Sequence, residues 1–88
     1  SEEETLDKFR EVRDQIEEAL EFADSVTPPE ALRAEHARRQ YAYSLALEAT
    51  VAALTYLDLG EPEMKTRAAL CYQDALAEFD ALRGELGR

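Results

Sequence analysis

His36 and Cys71 are the only histidine and cysteine in this 88-residue chain, so nucleophilic or metal chemistry would have to start from them. A Cys–His pair works only if the imidazole reaches the thiol. In an antiparallel hairpin of the helices described below, His36 is expected to face residues near Leu82, about 16 Å along the helix from Cys71. One His and one Cys also leave no His/Cys ligand set for structural zinc. A di-iron helical bundle needs Glu-x-x-His, which stacks both ligands on one face, but the residue three before His36 is Arg33. No glycine-rich loop follows a strand to cradle a phosphate. Lys8 and Lys65 flank apolar stripes, which argues against a buried Schiff-base lysine. Nothing supplies a nucleophile, a base and a group to orient them, so the expectation is no enzyme, no metal and no cofactor.

A second polar group sits at His36, Arg39, Gln40 and Tyr43, on one side of a helix where an apolar seam would otherwise continue. Two readings are open. The bundle tapers there and these side chains snorkel at its rim, with Arg39 reaching acids of the first helix. Alternatively they line a small-molecule pocket between helices, the usual place for a bundle ligand.

The elements that position these residues follow from composition and periodicity. Hydrophobic residues are 45% and charged residues 34%, which suits a folded domain, and three Gly with three Pro supply few turns. The net charge of -10 argues against nucleic acid and anionic membrane surfaces, both of which select basic patches. A lone Cys forms no internal disulfide, and no basic-then-apolar leader opens the sequence, so a soluble and, if natural, cytoplasmic protein is expected.

Three helices are expected, about 2–26, 28–58 and 62–86, in one domain over residues 1–88. Ser1 can cap the first, ahead of Glu2, Glu3 and Glu4. Its stripe Leu6, Phe9, Val12, Ile16, Ala19, Leu20, Ala23 and Val26 opposes a row of acids, the mark of an amphipathic helix. Thr27-Pro28-Pro29-Glu30 reads as a break and a capping box, with Pro28 at the first helical position. Gly60 suits a left-handed helix end before Pro62 restarts the chain. The third helix should bury Met64, Ala68, Cys71, Ala75, Phe79, Leu82 and Leu86, flanked by Tyr72 and Leu76. Short breaks make neighbours antiparallel, so the fold is expected to be an all-α, up-down-up three-helix bundle.

The middle helix is the anomaly. From Gln40 to Leu57 its one charged residue is Glu48. It carries two seams, one through Leu32, His36, Arg39, Tyr43, Leu47, Thr50, Leu54 and Leu57. The other runs through Ala34, Tyr41, Leu45, Glu48, Ala52, Tyr56 and Leu59. A membrane span is disfavoured by the short run and by Glu48 within it. Either both seams are buried inside the monomer, or Tyr41, Leu45, Glu48, Ala52 and Tyr56 form a face for a protein partner or a second copy. Tyrosine is favoured at such anchors.

The hairpin of the second and third helices resembles a single tetratricopeptide repeat over residues 53–76. Ala53, Tyr56 and Leu59-Gly60 match its first helix; Ala68, Tyr72 and Ala75-Leu76 match its second, although Gly60 to Ala68 is three residues longer than the repeat. This resemblance implies peptide binding. In style, the minimal loops, consistent caps and strong helix formers on the surface resemble a de novo designed helical bundle, which implies a binder or an assembly unit. Cys71, His36, Arg39 and eight arginines against two lysines are untidy for such a design and keep a natural origin open. The leading expectation is a non-catalytic binding or assembly module.

Overall fold

Ser1 closes the first turn of α1 (Glu2–Ser25): its Oγ accepts from the Glu4 N–H at 3.3 Å, and three acids lie where the helix dipole favours them. α1 ends where Val26 turns extended, and Thr27, Pro28 and Pro29 carry the chain across. A single 3-10 turn, Glu30–Leu32, then leads into α2 (Arg33–Leu59). Gly60 caps α2 in the left-handed region at φ +72°, and its N–H bonds the Tyr56 carbonyl at 2.7 Å. After Glu61, α3 runs from Pro62 to Leu86. This computed structural model describes residues 1–86, with side chains described as far as Gly84. The core place expected of Leu86 therefore lies outside the described side chains.

The chain is an all-α, antiparallel, up-down-up three-helix bundle, and no strand occurs among the described residues. Cross-helix bonds fix the directions. His36 and Gln40 near the start of α2 meet Ala23 and Asp24 near the end of α1. Arg38 and Glu48 of α2 meet Glu78 and Arg67 of α3 in reverse order.

One junction differs from the expectation. The α-helix begins at Arg33 and not at Pro28, and no side chain caps the preceding turn. The cause is local. Pro28 is itself followed by a proline, and the ring of Pro29 excludes the α conformation from the residue before it. Pro29 is extended as well, at φ -56° and ψ 151°.

The bundle is centred on α2. α1 and α3 both pack on α2, but no Cα of α1 comes within 8 Å of one of α3. The buried core is Ala42, Leu45, Ala49, Thr50 and Ala52 of α2, Ala23 of α1, and Ala75 and Leu82 of α3. Six of these eight are alanine or threonine. Small side chains let helix backbones approach closely but remove little apolar area from water. The molecule is drawn out along its long helices, 44 × 22 × 19 Å, with a radius of gyration of 14.6 Å where a compact chain of this length has about 12 Å.

Candidate functional site: an open groove over the central helix

The two seams of α2 have different neighbours. Along the first, the His36 Nε2–H donates to the Ala23 carbonyl at 2.9 Å; a carbonyl only accepts, so this nitrogen carries the proton. Gln40 Nε2 donates to Asp24 Oδ1 at 2.8 Å. These bonds tie the C-terminal end of α1 to α2, the Ala23 carbonyl accepting from the Val26 N–H as well, at 3.3 Å. His36 thus faces α1, not the neighbourhood of Leu82. Arg39 reaches Glu35 on its own helix at 3.6 Å, not the acids of α1. One Glu35 oxygen, Oε1, is buried without a hydrogen bond. Tyr43 packs edge-on against Phe79 of α3, ring centroids 5.5 Å apart. His36, Gln40 and Tyr43 are thus engaged with neighbouring helices and Arg39 with its own, and the cavities described below are lined by other residues.

Along the second seam, α3 already stands. Leu45 and Ala52 are buried, so they are not available to another molecule. Glu48 forms an ion pair with Arg67, whose Nε donates to Oε1 at 3.1 Å. Tyr56 lies half-buried under the Lys65 ammonium, 5.8 Å from the ring centroid. Only Tyr41, 55% exposed, is open to solvent along with the rim of Glu48. Of the expected partner-binding set, Leu45 and Ala52 are thus buried, Glu48 and Tyr56 touch side chains of α3, and Tyr41 stays exposed.

Cys71, expected in the core, is half-buried beside the Glu48–Arg67 pair. Burial pushes its thiol above the ordinary range, and the Glu48 carboxylate adds to this; Arg67 acts the other way. The hydrogen bond and charge of Glu48 in turn raise Arg67. A thiol held protonated is a poor nucleophile. Among the described residues, no three His, Cys, Asp or Glu side chains are grouped so as to hold a metal ion, and no helix is long and apolar enough to cross a membrane.

What the two seams leave between them is an open groove. Phe9, Val12 and Ile16 of α1 form one wall, and Ala68, Ala69 and Tyr72 of α3 form the other. The floor is Ala46, Ala49, Thr50 and Ala53 of α2, and the space enclosed is about 410 Å³. Every lining residue except Thr50 and the Tyr72 hydroxyl is apolar, and the Thr50 hydroxyl is spent on the Ala46 carbonyl at 2.8 Å. The groove exists because α1 and α3 do not meet, and it has depth because its floor carries only the short side chains of alanine and threonine. Sequence reasoning missed it, although its signal was present. Ala42, Ala46, Ala49 and Ala53 recur at three- and four-residue steps between the two seams.

The opposite side of α2 carries a second recess lined by Leu20, Ser44, Leu47, Glu48, Val51, Ala52, Thr55, Met64 and Arg67. It is more polar, and the Glu48–Arg67 pair lies across it. No protein-family model, curated protein or solved structure matches this chain.

Proposed function

We propose that this chain is a non-catalytic helical binding module that receives a further amphipathic helix in the groove between α1 and α3. The observation that carries this reading is the gap between the outer helices, floored by alanine and walled by Phe9, Val12, Ile16 and Tyr72. Three helices arranged around an empty slot leave apolar walls that a fourth helix would cover, as in a four-helix bundle. Contiguous apolar surface of this kind on a protein marks an interaction site. In this reading the face presented to a partner is the groove with Tyr72, not the Tyr41–Tyr56 seam, whose Leu45 and Ala52 are buried.

The test uses Nile red, an uncharged dye that fluoresces on entering apolar sites, with the chain at about 1 μM to keep any assembly dissociated. The expected result is dye binding by the parent chain and its loss in Ala46→Leu/Ala53→Leu, where two larger side chains fill the floor. Equal dye binding by both would remove the groove as the site.

A further inference from the structure

We propose that the occupant of the groove is a second copy of this chain, with the α1 edge of each copy seated in the groove of the other about a two-fold axis. This rests on reading the groove as a helix-binding site, and three observations name the occupant.

The first is area. The chain exposes 6406 Å². A monomer of its 9.9 kDa exposes about 5200 Å², so the excess is about 1200 Å². A standard interface takes about 800 Å² from each partner. The surplus is about half as large again as that share, so one interface fits within it.

The second is shape. Phe22, 72% exposed, is the most exposed large apolar side chain among the described residues. It lies on the outer edge of α1, in a row with Val12, Ala19 and Val26 at steps of seven, three and four residues. Val12 and Val26 are exposed too. One molecule therefore carries both an aromatic knob on a helix edge and an alanine-floored hole. A two-fold axis supplies each hole with the other copy's knob, because an isologous interface pairs the same two patches twice.

The third is charge. Two copies bring a net charge of -10 each, and most of their surfaces repel. The groove edges are the exception. The α1 row begins at Lys8 and holds Gln15 between Val12 and Ala19, and the α3 row runs Lys65, Ala69, Tyr72, Leu76 and Arg83. As named, the two rows contain no acid, although Glu11 and Glu18 stand on the same side of α1 as Phe22 and Asp80 pairs with Arg83 beside the second row. Both lysines of the chain lie here. Meeting on this face keeps Glu3, Asp14, Glu17 and Glu21, on the far side of α1, outside the assembly.

The measurement is molar mass by light scattering and sedimentation, at two concentrations roughly twenty-fold apart so that mass action reveals the association. The parent chain should reach twice 9.9 kDa at the higher concentration. Phe22→Ala leaves the groove lining intact, so it should weaken the dimer at least about tenfold while keeping Nile red binding. Val12→Glu/Tyr72→Glu, at exposed positions on the two groove walls, should be monomeric at both concentrations. A parent chain that is monomeric throughout would overturn the second copy as occupant, and its dye binding would still decide whether the groove is a binding site. A dimer indifferent to both variants, or one broken instead by Tyr41→Glu/Val51→Glu on the opposite face, would overturn it as well.

Discussion

The two helices that flank α2 are held in unlike ways. α2 buries Ala42, Leu45, Ala49 and Ala52, and α3 buries Ala75 and Leu82. Ion pairs Arg38–Glu78 and Glu48–Arg67 bracket the α2–α3 contact. α1 contributes only Ala23 to the buried core and is pinned chiefly at its C-terminal end, by His36 and Gln40. Phe9 and Ile16 farther along are half-buried, and Val12 is exposed. The hairpin of α2 and α3 is therefore the stable unit, and α1 is a helix laid along it. Regions with few buried apolar contacts open at low free-energy cost. The groove is bordered by one firm wall and one compliant wall.

Several substitutions would break or sharpen this contrast. The largest effect is expected at Leu45, where Leu45→Ala should cost about 3 kcal/mol of stability in denaturant titration, because it opens a void in the closed contact. The matching change on the compliant side, Ile16→Ala, should cost clearly less, since Ile16 is only half-buried. Equal losses at the two sites would abolish the distinction between the walls. Gly60→Ala comes next, at about 1 to 2 kcal/mol, because a Cβ is strained at φ +72°. Its loss should appear in the melting of α2 and α3.

His36→Leu removes the bond to the Ala23 carbonyl and should cost about 1 kcal/mol. Its signature is regional: amide exchange should speed up in α1, most at the C-terminal turn, and hardly change in α3.

The smallest effect concerns the thiol beside the firm contact. Burial and Glu48 raise the Cys71 pKa in the folded chain, so folding favours the protonated thiol. The associated stability is complete below the ordinary thiol range, near about 8.5, and is lost as pH rises through the folded value. Glu48→Gln removes one raising charge and also frees Arg67, which acts to lower the thiol pKa. Alkylation of Cys71 by iodoacetamide near pH 8 should be faster in that variant. An unchanged rate would show that Glu48 does not set the thiol.

How far the sequence revealed this arrangement depends on where the physics was local. The ends of α1 and α2 were legible because Ser1 and Gly60 act within a turn of themselves. The start of α2 was misread because two adjacent prolines follow a different rule from one. The all-α bundle was legible from the stripe and acids of α1. The partners of each α2 seam were not, because a helix with no polar face points nowhere in particular. The groove was hidden for a related reason. Alanine is common in helices for its propensity alone, so Ala46, Ala49 and Ala53 look like filler until α1 and α3 are seen to stand apart.

Those alanines carry opposite tolerances to change. At Ala42 and Ala52 the methyl is enclosed in the core, so a saturation scan should find almost every larger residue depleted. At Ala46 and Ala53, one turn away, the same methyl floors an empty recess, and leucine or methionine should be enriched for stability alone. If the scan selects for assembly instead, the second pair should become as intolerant as the first. The substitution record of this one helix would then separate what the monomer requires from what its occupant requires.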